Sequence, residues 1–129
     1  MPSGIIPPFQ IVGAARDGEG HIARLINFTP DLGAPDGPGN IPSLSDVTIT
    51  ISRQDLVPIQ ANDISVLPLL TQLDPTGYIL QVWFNVPSGL PYFTGLTSIT
   101  YVVTFNIQTT ASGQGYKRDG LLVASSLLG

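Results

Sequence analysis

The chain has no cysteine, one histidine and only 11% charged residues, and from residue 75 to residue 116 it carries no Asp, Glu, Lys or Arg at all. Each shortage closes off some chemistry. Without cysteine there is no disulfide framework, thiolate nucleophile or Cys-based zinc site. The same absence fits folding in a reducing cytoplasm. Five Lys and Arg against nine Asp and Glu give a net charge of −4 and a pI near 4.4. Phosphate binding needs clustered cations, and Lys117-Arg118 is a single adjacent pair, so nucleic acid is not an expected partner. Nor is a membrane. The most apolar stretch, residues 64–70, is interrupted by Pro68 and falls far short of the roughly 18 residues of a transmembrane helix. The positive mean hydropathy of +0.28 therefore reflects surface buried in protein. The opening Met-Pro-Ser-Gly-Ile-Ile-Pro-Pro has no basic stretch and no unbroken apolar core, so a secretion signal is not expected.

Helix signals are few, because twelve prolines and fourteen glycines are spread along the whole chain and each interrupts a helix. Strand signals are many. In Val47-Thr-Ile-Thr-Ile-Ser-Arg53, Val47, Ile49 and Ile51 share one face and Thr48, Thr50 and Ser52 the other, the period-2 pattern of a half-buried strand. The segment 78–86 sets Tyr78, Leu80, Val82, Phe84 and Val86 inward and Ile79, Gln81, Trp83 and Asn85 outward. The segment 99–109 sets Ile99, Tyr101, Val103, Phe105 and Ile107 on one face. A closing strand over 121–124 follows the turn-rich Ala111-Ser-Gly-Gln-Gly115.

In the N-terminal third, 10–15 and 21–28 flank Asp17-Gly18, a strong hairpin-turn dipeptide. The following Thr29-Pro-Asp-Leu-Gly-Ala-Pro-Asp-Gly-Pro-Gly-Asn-Ile-Pro42 reads as an extended surface arm. The expected fold is all-β: an antiparallel β-sandwich over 46–129, preceded over 1–45 by a tail, a hairpin and a Pro/Gly-rich extended arm. The apolar tail, with Ile5, Ile6 and Phe9, is expected to dock on a neighbouring subunit by strand addition.

A domain of this size ordinarily keeps about a quarter of its residues charged, since charges hydrate exposed faces and discourage association. Uncharged outward rows of hydroxyls, amides and Trp83 therefore point to subunit contacts, with Ile5, Ile6, Phe9, Trp83, Tyr92 and Phe93 as candidate interface residues. Catalytic motifs are wanting. His21 beside Asp17 and Glu19 reads as a charged hairpin turn, since a calcium loop needs several alternating carboxylates closed by a bidentate Glu. Ser88-Gly89 is a turn and not a nucleophile elbow. The carboxylates lie outside the aromatic strands where a glycosidase cleft would form. Gly113-Gln-Gly115 lacks the spacing of a phosphate loop. No enzyme activity, metal or cofactor is expected. Trp83, Tyr78, Tyr92 and Phe93 also admit a second reading, an aromatic platform for sugars.

Trp83, the turn Val86-Pro-Ser-Gly89, Gly95 with Tyr101-Val-Val-Thr-Phe105, Thr109-Thr110, Gly113, and Lys117-Arg118 before a final strand together resemble the immunoglobulin-like modules of tailed-bacteriophage virion proteins of the fiber–tail adaptor type. The resemblance spans about residues 46–123. It implies an immunoglobulin-like sandwich whose penultimate strand carries a core tyrosine with its hydroxyl on backbone. It also implies a non-enzymatic structural subunit in the tail, adaptor or fiber-attachment region, assembled in the host cytoplasm into the virion. Its partners would be other virion proteins and copies of itself. The alternatives are a capsid decoration protein and a carbohydrate-binding module in which Trp83, Tyr92 and Phe93 stack on a host glycan.

Overall fold

Alternation of apolar and polar side chains builds the strands, and the computed structural model, which describes residues 8–16, 18–33, 35, 37, 39–88, 98–109 and 115–125, arranges them in two packed sheets. The first holds β1 (Phe9–Gln10), β9 (Gly115–Ser125), β8 (Ser98–Gln108) and β4 (Val47–Arg53) in that order, with β2 (Ala15–Arg16) also on β9. The second runs β3 (Gly20–Asn27), β7 (Ile79–Val86), β5 (Ser65–Val66), with β6 (Gln72–Leu73) also on β7. The inward rows are those the alternation predicts. Leu80, Val82, Phe84 and Val86 of β7 and Ile99, Tyr101, Val103, Phe105 and Ile107 of β8 are all buried, facing Ile22 and Ile26 of β3 and Leu122 and Ala124 of β9. Two layers bury what neither covers alone. The fold is an all-β sandwich.

Three features depart from the sequence reading. The expected N-terminal hairpin is not formed. The turn at residues 16–19, closed by Glu19 N–H to the Arg16 carbonyl at 3.0 Å and by Arg16 N–H to Glu19 Oε1 at 2.7 Å, carries the chain from one sheet to the other. β2 lies parallel to β9 (Ala15↔Ala124), while β3 is antiparallel to β7 (Ile22↔Phe84). A turn dipeptide fixes the reversal but not the pairing partner, and here each flanking strand finds a longer strand to pair with.

The Pro/Gly-rich segment is not an extended arm. It begins with one helical turn, α1 (Thr29–Leu32), with Pro30 in its first turn, and it sinks Leu32 and Ile41 into the core at 1% exposure each. The Ile41 N–H donates to the Gly77 carbonyl at 2.8 Å and the Gly39 N–H to the Leu32 carbonyl at 3.1 Å. Prolines and glycines stiffen and bend the path; two apolar anchors decide where it goes. Core side chains thus come from both sides of residue 45.

The last strand is also longer than expected. It starts at Gly115, so Lys117 and Arg118 lie within it, and Arg118 pairs opposite the buried Phe105. Gly120 makes this end possible. A Cβ there would lie 2.8 Å from Phe9 Cζ, so only glycine lets the Phe9 ring cross β9 and stack on Phe105 at 6.1 Å.

Candidate assembly interface

Among the described residues the outer face of the β3–β7 sheet carries no Asp, Glu, Lys or Arg. Cross-strand neighbours form rows of His21, Asn85 and Ser65, of Ala23 and Trp83, and of Leu25, Gln81 and Gln72. Leu25 is 69% exposed. Trp83 is half-buried, and its indole N–H donates to Gln81 Oε1 at 3.3 Å, which fixes the ring against the sheet. Amides, Ala23 and two large apolar side chains, Leu25 and Trp83, share this face.

The lateral edges are more informative. Between Val66 of β5 and Gln72 of β6 the chain advances six residues while their shared partner β7 moves three, from Phe84 to Gln81. The excess forms a bulge. Thr71 closes it, its hydroxyl accepting from the Trp83 N–H at 3.2 Å and donating to the Leu67 carbonyl at 3.0 Å. Leu69, at the tip, is left 98% exposed, with Leu70 at 41%. Bulges of this kind re-aim side chains at sheet edges. Among the described residues the strongly exposed large hydrophobics are Val12, Leu25, Leu56, Ile59, Leu69 and Leu70. Val12 and Leu25 flank the edge where β1 and β3 lie. The other four belong to the connections on either side of β5, next to the edge strand β4.

An apolar cleft opens between the sheets at each edge. One, of about 360 Å³, is lined by Phe9, Ile11, Val12, Leu25, Ile26 and Phe28, and also by Asp31 and Arg118. The other, of about 400 Å³, is lined by Leu44, Ser45, Val47, Ile49, Val66, Pro68 and Thr71 and holds no charged side chain.

Three of the arginines are employed internally. Arg24 donates through Nε to the Gly13 carbonyl at 2.9 Å and through its terminal nitrogens to the Ala23 and Ala14 carbonyls, tying the β1–β2 link to β3. Arg118 pairs with Asp31 and stands 5.2 Å from the Phe9 ring centroid. Arg53, 3% exposed, forms a bidentate pair with Asp55 and lies 3.6 Å from Asp63, which is itself buried. The Tyr101 hydroxyl donates to Asp63 Oδ1 at 2.6 Å. Burial, then the Asp63 carboxylate beside it, pushes the Tyr101 phenol well above its ordinary pKa, while the backbone of Ile64 acts the other way. The tyrosine expected in the core is there, but its main partner is a side chain. This cluster braces the connection between β4 and β5 against β8; it opens onto neither cleft.

The residues singled out from sequence are distributed unevenly. Trp83 stands on the outer face as expected. Phe9 is partly buried in its own core, against Phe28 and Phe105. Ile5, Ile6, Tyr92 and Phe93 lie outside the described residues, as does Asp17. His21 is exposed on β3 opposite Asn85, and among the described residues no group of three His, Cys, Asp or Glu side chains gathers at one place. Sequence reasoning missed Val12, Leu25, Leu56 and Leu69. Leu69, next to Pro68 in an apolar run, carries no local signal of exposure, and only the register shift on β7 reveals the bulge. The chain matches no protein-family model, and no curated protein is similar to it at a significant level.

Proposed function

We propose that this chain is a non-enzymatic structural subunit that works by assembling with copies of itself and with other proteins. The observation that carries the reading is the placement of its exposed large hydrophobics on the two lateral edges, beside largely apolar clefts and strands that, among the described residues, are paired on one side only. Lone exposed apolar residues are ordinary, but contiguous ones mark contact sites, and an unpaired edge invites another strand. The sandwich is proposed to be of immunoglobulin type. Strand order supports this: β4, β8 and β9 correspond to strands C, F and G of one sheet, and β3, β7 and β5 to B, E and D of the other. Together with the resemblance carried by Trp83, Tyr101 and the closing strands, this gives the specific proposal of a bacteriophage virion subunit in the tail, adaptor or fiber-attachment region. Light scattering on a size-exclusion column tests the core of the reading. The wild type is expected to elute as an oligomer and Leu25→Lys with Leu69→Lys as a smaller species of unchanged fold; a wild-type monomer at all concentrations refutes it.

Carbohydrate binding is the second reading, favoured by the Trp83 ring held by Gln81 among Asn85, Gln72 and His21. It predicts saccharide signals on a glycan array that vanish in Trp83→Ala.

A further inference from the structure

The two clefts differ in what they can accept. At the β1/β3 edge, Arg24 already occupies the Ala23 carbonyl, Asn27 Oδ1 is bonded to the Thr29 N–H, and the Asp31–Arg118 pair lines the cleft. An incoming apolar strand would have to desolvate that pair, at a cost its attraction need not return. Among the described residues the β4/β5 edge has no such occupant. Because the Gln54 N–H donates to the Thr100 carbonyl at 3.0 Å, the even residues of β4 bond to β8. Alternation then turns the N–H and C=O groups of Ile49 and Ile51 toward the open side. The same reasoning from Leu67 N–H to the Trp83 carbonyl turns those of Val66 outward from the second sheet. The Val47, Ile49 and Ile51 side chains, though they point inward, are only partly buried. The cleft therefore offers an apolar floor and two unpaired backbone edges, in a volume within the roughly 300–1,000 Å³ of ligand pockets.

We propose that the β4/β5 cleft receives residues 1–7 of a second copy of this chain as an added strand along β4. That segment lies outside the described residues; its sequence has no charge and carries Ile5 and Ile6. It leads into β1, and β1 and β4 are the two opposite edges of one sheet. Two copies set edge to edge thus bring the segment of one beside β4 of the next. Seven extended residues reach about 23 Å. To reach its own β4 the segment would have to recross β9 and β8, about 14 Å over three strand spacings. The contact joins two different surfaces, so repetition gives a ring or an open filament.

This inference rests on the assembly reading, and the test separates the two. The chain has no native cysteine, so single thiols can be placed cleanly. Mixed Ile5→Cys and Ser45→Cys chains, treated with a short bifunctional thiol reagent, are expected to give at least ten times more mixed dimer than Ile5→Cys with Leu25→Cys. The Ile5→Asp/Ile6→Asp variant is expected to keep the wild-type far-UV spectrum and a cooperative unfolding transition, and to lose assembly at least tenfold. Equal or greater linking to Leu25→Cys overturns the inference. So does linking confined within a doubly substituted chain, or full assembly of Ile5→Asp/Ile6→Asp. If the wild type still oligomerises in those cases, the assembly reading survives; a wild type that stays monomeric removes both.

Discussion

Replacing Tyr101 by Phe removes one hydroxyl and leaves the ring, so no cavity forms and the loss isolates a single bond. That hydroxyl is the close donor to Asp63 Oδ1, at 2.6 Å; the next cation, Arg53 Nη1, lies 3.6 Å away. Asp63 Oδ2 keeps the Gln60 N–H at 2.7 Å. Hydrogen bonds to charged groups contribute about 1.5–3 kcal/mol, and a buried acceptor left short of donors pays its desolvation. Tyr101→Phe is thus expected to lower stability by about 2 kcal/mol, a fall in melting temperature of about 6–10 °C for a domain of this length. Urea unfolding followed by the fluorescence of Trp83 measures it, with an unchanged denaturant slope expected. The pH dependence supplies a sign check. A phenol whose folded pKa is raised contributes stability that is fully present below the ordinary tyrosine pKa of about 10 and lost as pH rises through the folded value. Wild-type stability should fall above that pH, and more steeply than in Tyr101→Phe. A loss under about 0.5 kcal/mol, or alkaline limbs of equal slope, refutes the account of this cluster as a brace.

Three further outcomes follow from local geometry. Gly120→Ala places a Cβ against the Phe9 ring, and overpacking of this kind costs about 1–3 kcal/mol; loss of protection at the Ile11 amide, which bonds the Leu121 carbonyl, in hydrogen exchange would show β1 displaced. Leu56 holds a left-handed backbone, φ 67°, while 89% exposed, so Leu56→Asn should raise monomer stability by about 0.5–1 kcal/mol in the same unfolding assay. Asp74 gathers the Thr76 hydroxyl and the N–H groups of Gly77, Tyr78 and Ile79. The Thr76 hydroxyl first, then the backbone donors, hold its carboxyl below the usual range against a smaller opposing effect of desolvation. Its contribution is therefore present above the ordinary carboxylate pKa and lost as pH falls through the depressed value, and Asp74→Asn should flatten the acid limb of a stability–pH profile.

Period-2 alternation is a local property, and it was enough to place β4, β7 and β8 and to assign their faces residue by residue, Trp83 outward and Tyr101 inward. The scarcity of charge was equally legible, since it needs only counting. What a strand pairs with is not local. Ala15 and Ile22 lie close together in sequence yet belong to different sheets, because β3 finds an eight-residue ladder on β7 while the short β2 pairs with the long last strand β9. Leu32 and Ile41 could be seen among the prolines, but only the open end of the sandwich makes them anchors. Arg118 turns inward because Gly120 admits Phe9 and Asp31 arrives from α1, three segments that meet only after folding. The two lateral edges, with Leu25 on one side and Leu69 beside the other, exist only once the sheets are ordered. Hydrophobic pattern chose the faces; hydrogen-bond partners distant in sequence chose the edges, and it is the edges that carry the proposed function.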